Sequence, residues 1–387
     1  MTSTVIPGRR VARAALAATL AGGAVLSALV GSAAGAGAAP ASSGTGPRTS
    51  ATTGSAPGAC PPRALALHYS DALDKKVVDG ATIGGLSDIG FDKRLRSYVS
   101  SVDNHASDPS RLWFYRDLDH PRVWRKPLVL RKPDGTAWTG ETADNEGLAV
   151  LNDGRFLVSS EVEPSIRVFG RDGRQRSELP VPARFRVAPA GEATANATLE
   201  GLTLSPDGRT AVAAMEGTLS GDLPAGATAG DFRRFLVYQA RHGASDRFRL
   251  VKQVGYRVDA GLRISEVQEY APGKLLVMEA AYDPTTGNTI KLYAVTGLNR
   301  ARDVSRIGNL STAPSAVMHK TLIADVTACP TLGATAKQPQ ANPLMDNYEG
   351  MTTRPLGGGL YRVALISDDN FNPTQITRVL DLAAALP

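Results

Sequence analysis

The chain has 387 residues, of which 42% are hydrophobic and 21% charged, so it can build a buried core and is not wholly disordered. Its 43 Lys and Arg residues exceed its 37 Asp and Glu residues only slightly, and a formal charge of +6 does not favour nucleic acid as a partner. The two cysteines exclude a dense disulfide framework and a multi-cysteine zinc site.

The N-terminus has the pattern of a secretory signal peptide. Arg9, Arg10 and Arg13 form a basic start, an apolar run covers residues 14–30, and small residues suited to cleavage follow. We expect residues 1–38 to be removed on export. A membrane anchor is the alternative, but glycines interrupt the run and no basic flank follows it. No later segment has the ~20 apolar residues of a span, so the sequence predicts a secreted, extracellular protein without a membrane span after cleavage.

A flexible linker is predicted next. Residues 39–59 are nearly all Ala, Ser, Thr, Gly and Pro, a composition that cannot build a packed core. The folded domain is predicted over residues 60–387. Its cysteines, Cys60 and Cys329, lie at its start and in its last third, and export favours a disulfide between them. A pair of free thiols is the alternative.

A hairpin pattern repeats along the predicted domain, where short apolar runs alternate with glycine-containing turns. In each copy one acid precedes the turn and a second acid follows it at about the same distance. The acid pairs are Glu146 and Glu161, Glu200 and Glu216, Glu266 and Glu279, and Glu349 and Asp368, with a weaker copy over residues 83–103. An antiparallel hairpin therefore brings both acids to the end that lies away from the turn.

These repeats predict an all-β fold, a β-propeller of about six blades. The hairpins begin near residues 85, 146, 200, 266 and 349, and the widest interval leaves room for a sixth unit near residues 318–326. In a propeller the inner strands surround a central channel, so the acids are expected to converge on one rim. A β-sandwich is the alternative, but it gives no reason for acids to recur at turn-symmetric positions.

Several segments also resemble a known family. These segments are Glu146-Gly-Leu, Glu200-Gly-Leu-Thr-Leu-Ser-Pro-Asp-Gly-Arg, Glu349-Gly-Met and Ser367-Asp-Asp-Asn-Phe. In this order they resemble the "esterase-like activity of phytase" family, secreted bacterial proteins with a phytase-like domain. The resemblance covers residues 83–382 and implies hydrolysis of phosphate or carboxylate esters on a propeller-like fold. That family in turn resembles true β-propeller phytases, which use calcium held by carboxylates, only loosely.

The converging acids form the predicted site. Carboxylates a few ångströms apart repel each other, so they must be protonated, paired with arginine or bound to a cation. Calcium prefers oxygen ligands and needs neither Cys nor His. We predict catalytic roles for Glu146, Glu200, Glu349 and Asp369, with Glu266 on the same rim, and a Ca²⁺ site formed by Glu200, Glu349, Asp368, Asp369 and Asn370. Arg234 and Arg263 are the predicted substrate-binding residues, because guanidinium groups bind phosphate through paired hydrogen bonds.

Three functions remain open. The first is a calcium-assisted hydrolase acting on a small-molecule ester. The second is an exported propeller that binds a ligand or protein partner without catalysis, in which the glutamates bond backbone amides or arginines and lock the blades together. The third is a lactonase-like or other metal-dependent esterase. No Gly-x-Ser-x-Gly elbow is present, so a serine esterase is not predicted. We expect a monomer.

Overall fold

The protein is described by a computed structural model, which covers residues 58–103, 105–241 and 247–387. The predicted signal peptide, residues 1–38, and nearly all of the predicted linker, residues 39–59, lie outside the described residues. The first described strand begins at Ala59, next to the predicted start of the domain at Cys60. No helix in this described part of the chain has the length and apolar character needed to cross a membrane.

Strands dominate the described residues. In chain order they are β1 (Ala59–Cys60), β2 (Ala64–Ser70), β3 (Val77–Val78), β4 (Ala81–Thr82), β5 (Gly90–Asp92), β6 (Ser97–Ser101), β7 (Arg111–Arg116), β8 (Arg122–Val123), β9 (Leu128–Val129), β10 (Asn145–Val150), β11 (Phe156–Ser160), β12 (Ser165–Phe169), β13 (Gln175–Leu179), β14 (Leu199–Leu204), β15 (Thr210–Met215), β16 (Phe232–Ala240), β17 (Phe248–Arg257), β18 (Arg263–Ala271), β19 (Lys274–Asp283), β20 (Gly287–Thr296), β21 (Lys320–Asp325), β22 (Tyr348–Gly357), β23 (Leu360–Ser367) and β24 (Val379–Ala385). A short helix, α1, covers Gly140–Ala143, and 3₁₀ turns cover Ala183–Phe185, Ser220–Asp222, Leu298–Arg300, Leu310–Thr312, Pro314–Ala316 and Val326–Ala328.

The described strands form five large antiparallel sheets, arranged as the blades of a propeller. Blade 1 contains β5–β9, blade 2 β10–β13, blade 3 β14–β17 and blade 4 β18–β21, while blade 5 has the strand order β1-β2-β24-β23-β22. The innermost strands β5, β10, β14, β18 and β22 contact one another in this order, and β22 contacts β5. This closed ring of inner strands confirms the predicted propeller and surrounds its central channel.

The blade count differs from the predicted number of about six, because the described residues contain five blades. The segment near residues 318–326, where a sixth unit was expected, forms β21, the outer strand of blade 4. The long interval between residues 266 and 349 therefore contains the rest of blade 4 and an irregular connection, not another hairpin.

Blade 5 closes the ring by combining both ends of the described chain. Strand β2 pairs with β24, so an N-terminal strand completes a sheet that otherwise comes from the C-terminus. Cys60 in β1 forms the predicted disulfide with Cys329, 269 residues later, in the connection that follows blade 4. The bond confirms the predicted pairing and ties the closing blade to its neighbour.

The hydrophobic core lies between adjacent blades. Leu157 and Ile166 of blade 2, for example, share one buried cluster with Ala213 and Leu236 of blade 3. Side chains alternate between the two faces of a strand, so a strand inside a propeller buries both faces against neighbouring sheets. This explains why second strands such as β19 (Lys274–Asp283) and β23 (Leu360–Ser367) contain nearly continuous apolar runs.

The innermost strands of blades 2 to 5 each contain a β-bulge where they pair with the second strand. In three of these four blades the bulge contains a glycine with little space around it. A Cβ on Gly147 would lie 2.4 Å from Leu202 Cβ, one on Gly201 would lie 2.7 Å from the Val267 nitrogen, and one on Gly350 would lie 2.7 Å from the backbone carbonyl carbon of Asp88. Close approach of neighbouring inner strands therefore explains the recurring Glu-Gly pair.

We expect Gly201→Ala to destabilise the protein, because the added methyl group would overlap the backbone of the neighbouring inner strand. Overpacking of this kind lowers the free energy of unfolding by about 1–3 kcal/mol. Gly308→Ala is the matched control, since a Cβ there meets no atom within 4 Å among the described residues. Urea denaturation of both variants tests the prediction, and equal stability of the two would contradict it.

Candidate functional site

The bulges of blades 2 to 5, and the equivalent segment that leads into β5 in blade 1, put two consecutive residues into different surroundings. Strand pairing makes the first of these residues Ser87, Glu146, Glu200, Ser265 and Glu349 in blades 1 to 5, and the second Asp88, Gly147, Gly201, Glu266 and Gly350. Blades 2, 3 and 5 thus have a glutamate followed by a glycine. Blades 1 and 4 instead have a serine followed by an acid, so their acids lie one residue later.

The two displaced acids, Asp88 and Glu266, meet at the centre of the channel, and we call them the axial acid pair. Asp88 accepts hydrogen bonds from the backbone N–H groups of Leu148 in blade 2 and Met351 in blade 5. Glu266 Oε1 accepts one from the backbone N–H of Leu202 in blade 3, at 3.1 Å. Since Asp88 belongs to blade 1 and Glu266 to blade 4, this pair connects all five described blades.

The axial acid pair holds a proton near neutral pH. Burial raises the pKa of Asp88 to about 7. Burial, followed by the neighbouring Asp88 charge, raises the pKa of Glu266 well above its ordinary value. Glu266 Oε2 receives no hydrogen bond from an N–H or hydroxyl group of the described residues, so a proton shared with Asp88 is the group that satisfies it.

This arrangement corrects the prediction that Glu266 lies on the rim. The repeat was aligned on its glutamates, which places Glu266 beside Glu200 and Glu349. In the structure, Ser265 occupies the position equivalent to those residues, and its hydroxyl donates to the Tyr348 carbonyl at 2.8 Å. Glu266 therefore occupies the glycine position and points to the channel centre.

Acids from four blades gather at the end of the channel where the inner strands begin, and we call this group the rim cluster. Its members are Asp103, Asp144, Glu146, Glu161, Glu200, Glu216, Glu349 and Asp368. Carboxylate oxygens of Asp144, Glu146 and Glu161 lie within 4.8 Å of one another, as do those of Glu161, Glu200 and Glu216. Glu161 belongs to both groups, so the rim cluster is continuous from blade 2 to blade 3.

Second strands supply half of the rim cluster. Each of these acids follows the second strand of its blade, and its backbone N–H donates to the carbonyl oxygen of a residue that lies before the inner strand, as Glu161 does to Asp144 at 3.0 Å. The others are Asp103, Glu216 and Asp368. The predicted site set omits Asp103, Asp144, Glu161 and Glu216, although acids at the ends of the repeated hairpins were a visible signal.

Arg263 connects three members of the rim cluster. It begins the inner strand of blade 4, and its Nη1 lies 2.9 Å from Glu200 Oε1 and 3.1 Å from Glu216 Oε1. Its Nη2 lies 2.9 Å from Glu349 Oε1. Burial lowers the pKa of Arg263, but the three carboxylates outweigh burial and raise that pKa above its ordinary value.

One arginine does not neutralise eight neighbouring carboxyl groups. Burial first, and then neighbouring carboxylates, raises the pKa of Glu146 and Glu200 well above the ordinary value. Burial and the Glu216 charge raise the pKa of Glu161 to about 8. Carboxylates at this spacing are stable only when they bind protons, arginine or a cation. The rim cluster therefore has the charge and the oxygen ligands of a cation site.

Asp369 and Asn370 lie outside the rim cluster, which corrects their predicted roles. Asp369 forms an ion pair with Lys75 and accepts hydrogen bonds from Thr377 Oγ1 at 2.8 Å and the Gly85 backbone at 2.9 Å. These contacts join blade 5 to the segment that leads into blade 1. Asn370 has an exposed side chain, and its backbone N–H donates to Asp368 Oδ1 at 2.6 Å.

Arg234 also has a structural role and is not available to a substrate. Its side chain is fully buried and bonds both oxygens of Asp222, at 2.6 and 2.8 Å. The remaining donors reach the carbonyl oxygens of Val304, at 2.9 Å, and Ile307, at 2.6 Å. The prediction that Arg234 binds substrate is thus corrected, because its guanidinium group holds a connection between strands in place.

The fold and the rim cluster together define the protein as a β-propeller with buried acids at one mouth of its channel. The chain belongs to the phytase-like family described as "esterase-like activity of phytase", whose model matches residues 81–371. This match confirms the resemblance noted in the sequence.

Relatives and solved structures give more distant similarity. An uncharacterized secreted protein of Arthroderma benhamiae is 23% identical over 182 residues, which cover 39% of this chain and 36% of that protein. The chain therefore matches only about a third of that relative's length. Similar solved structures include the catalytic domain of the Coprinopsis cinerea GH62 α-L-arabinofuranosidase, with 10% identity, a TM-score of 0.41 and coverage of 85% and 98% of the two chains.

A second solved structure is a Clostridium thermocellum α-L-arabinofuranosidase, with 12% identity and a TM-score of 0.41, covering 72% of this chain and 82% of that chain. A protein of unknown function from Bacteroides caccae has 11% identity and a TM-score of 0.34, covering 73% and 72%. At these levels of similarity, nothing about the activity of those proteins transfers to this chain.

We expect Glu266→Gln to reduce the pH dependence of stability. A carboxyl whose pKa is raised by folding stabilises the protein below its unfolded pKa, and this contribution is lost as the pH rises through the folded value. For Asp88 that window extends from about 4 to about 7. The amide introduced by Glu266→Gln keeps an oxygen that accepts from Leu202 and supplies an N–H that donates to Asp88, so Asp88 no longer needs the shared proton.

The measurement is the free energy of unfolding of both proteins between pH 5 and pH 8. Each bound proton contributes up to about 1.4 kcal/mol per pH unit, so the wild-type value is expected to fall relative to the variant by about 1 kcal/mol per unit. Parallel profiles of the two proteins would contradict a shared proton.

Removing the charge of Arg263 is expected to destabilise the protein strongly. Arg263→Met leaves Glu200, Glu216 and Glu349 without their guanidinium partner, and breaking a buried ion pair in this way costs about 3–5 kcal/mol. Arg257→Met is the control, because Arg257 is 58% exposed and lies 3.5 Å from Asp231. An exposed pair contributes about 1 kcal/mol or less. Similar unfolding midpoints for the two variants would refute the role of Arg263.

Proposed function

We propose that the chain is a secreted hydrolase of phosphate or carboxylate esters, with a divalent cation, calcium in the first instance, held by the rim cluster. The observation that carries the proposal is the grouping of Asp144, Glu146, Glu161, Glu200 and Glu216, whose carboxylate oxygens form two overlapping sets within 4.8 Å. Membership in a family described by esterase-like activity supports ester hydrolysis. The disulfide and the secreted relative support an extracellular location.

The rim cluster suits calcium better than a softer metal. Its donors are carboxylate oxygens, and calcium takes six to eight oxygen ligands without requiring Cys or His. Two further oxygens nearby, Asp103 Oδ1 and Asn145 Oδ1, are buried and receive no hydrogen bond within the described chain. A bound divalent cation supplies charge that attracts a substrate oxygen and lowers the pKa of a water molecule.

The residues of the chain have distinct roles in this proposal. Glu161 joins the two carboxylate groups and, with Asp144, Glu146, Glu200 and Glu216, forms the candidate ligand set. Arg263 is a positioning residue, because its hydrogen bonds hold Glu200 and Glu349 at fixed distances. The axial acid pair closes the channel beneath the rim cluster, so a substrate enters and leaves through the same mouth.

A propeller that binds a ligand without catalysis is the second candidate function. The observation that favours it is the set of contacts between Arg263 and Glu200, Glu216 and Glu349, since ion pairs of this kind also occur as purely structural links between blades. Hydrolysis separates the two candidates, because only the first predicts turnover.

The test measures hydrolysis of p-nitrophenyl phosphate and p-nitrophenyl acetate in calcium and in chelator, together with calcium-induced thermal stabilisation. We expect calcium-dependent turnover and a rise in Tm with calcium, because a ligand that binds only the folded state stabilises it. Glu161→Gln is expected to abolish both effects. Glu178→Gln, which removes an exposed acid on the outer strand of blade 2, is the control and should retain them.

Stabilisation by calcium without turnover on either ester would favour the binding propeller. Neither stabilisation nor turnover in any divalent metal would overturn the proposed cation site. The two readouts thus separate failure of the cation site from failure of the hydrolase proposal.

A further inference from the structure

The channel has a second mouth, at the end where the hairpin turns lie, and this mouth contains a cavity of about 460 Å³. We call it the turn-side cavity. The lining includes one residue or more from each inner strand, such as Phe91, Val150, Thr203, Glu269 and Arg354. These residues follow the bulges, whereas the rim cluster lies at or before them, so the axial acid pair lies between the two mouths.

The wall of the turn-side cavity is largely apolar and aromatic. Phe91 and Tyr98 contact each other with ring centroids 5.0 Å apart and ring planes tilted by 58°, and Leu148 and Leu202 line the cavity beside the axial acid pair. Phe91 is 42% exposed, which is high for a large aromatic residue. Cavities of about 300–1,000 Å³ with apolar walls and a few polar groups are typical of small-molecule sites.

Two of the positive charges at this mouth, those of Arg354 and Lys93, have no carboxylate partner among the described residues. Arg354 lies directly opposite Arg362 across the β22–β23 pair, and like charges in that arrangement destabilise a sheet. Arg362 is neutralised by Asp381 and by Asp119, with Nε 2.8 Å from Asp381 Oδ1 and Nη2 2.5 Å from Asp119 Oδ1. Among the described residues no acid bonds Arg354 or the nearby Lys93. An anionic ligand would compensate this charge.

A buried carboxyl at the wall adds a polar contact. Glu269 is 2% exposed, and its Oε1 accepts a hydrogen bond from the Gly273 backbone at 2.7 Å. Its Oε2 is buried and has no hydrogen-bond partner in the part of the chain that the structure describes. Burial raises the pKa of Glu269 to about 7, so below neutral pH the protonated group donates a hydrogen bond and does not repel an anion.

We propose that the turn-side cavity is a second small-molecule site, separate from the rim cluster, and that it takes a small aromatic carboxylate. Arg354 binds the carboxylate, with Lys93 adding positive charge at the mouth. The aromatic ring lies against Phe91 and Tyr98, and Glu269 Oε2 provides the polar contact deeper in the wall. Arginine suits this role because its planar guanidinium group forms two parallel hydrogen bonds with a carboxylate.

The probe is phenylacetate, and its neutral isostere phenylacetamide reports on the carboxylate alone. Saturation-transfer NMR and calorimetry on the wild-type protein are expected to show binding of phenylacetate and at least tenfold weaker binding of phenylacetamide. Arg354→Gln is expected to weaken phenylacetate binding by about tenfold, because it removes a charge-assisted, bidentate contact. Arg306→Gln removes an equivalent exposed charge outside the cavity and should leave binding unchanged.

Three results would overturn the proposal: no binding of phenylacetate, equal binding of phenylacetamide, or equal affinity of the wild type and Arg354→Gln. Arg354 is exposed, so its replacement is not expected to disturb folding, and a circular dichroism melt of each variant verifies this. The measurement does not depend on ester hydrolysis or on calcium, so it stands apart from the proposed function.

Discussion

The close approach of five inner strands around one axis is the constraint on which the rest of the structure depends. Three strands meet it with a glycine in the bulge, since a Cβ at Gly147, Gly201 or Gly350 would come within 3 Å of a neighbour. Glu266 Oε1 lies beside Gly201, and the backbone of Asp88 lies beside Gly350. Buried acids are stable there because inner-strand amides donate to them and because they share a proton.

The same constraint concentrates charge at the rim. In blades 2, 3 and 5 the glycine lies next to the channel axis, and the glutamate that precedes it lies at the rim. Acids that follow second strands, such as Glu161, lie at the same rim. Blade 4 has Ser265 at that position and contributes Arg263 instead. Positive charge therefore comes from blade 4, which contributes no acid to the rim cluster, and it meets the acids of both neighbouring blades. The remaining negative charge is what favours a cation at this mouth.

Much of the fold could be predicted from the sequence, because its signals are local. The turns midway between paired acids, the apolar runs and the two cysteines correctly indicated hairpins, a propeller and the Cys60–Cys329 disulfide. The blade count was harder to predict, because the outer strand β21 and an irregular connection lengthen the interval before blade 5. The length of the interval between two repeats does not distinguish an additional blade from a long loop.

The site was less predictable, because its geometry depends on bulges and on contacts between distant residues. Blade 4 has Ser265-Glu266 where blades 2, 3 and 5 have Glu-Gly, so strand pairing places Ser265 at the glutamate position and Glu266 at the glycine position. Asp369 is held by Lys75, 294 residues away, and Arg234 by Asp222 and the carbonyl oxygens of a later connection. No local pattern reports such partners. The predicted acids that reach the rim, Glu146, Glu200, Glu349 and Asp368, lie within or directly after paired strands.

The axial acid pair also decides how the two mouths relate to each other. It occupies the channel between the rim cluster and the turn-side cavity, so a molecule in one mouth does not contact a molecule in the other. The two mouths still share their walls, because Leu148 and Leu202 donate to the acids through their backbones and line the cavity with their side chains. A displacement of either residue would alter the hydrogen bonds of the axial acid pair and, through the bulge, the position of Glu146 or Glu200.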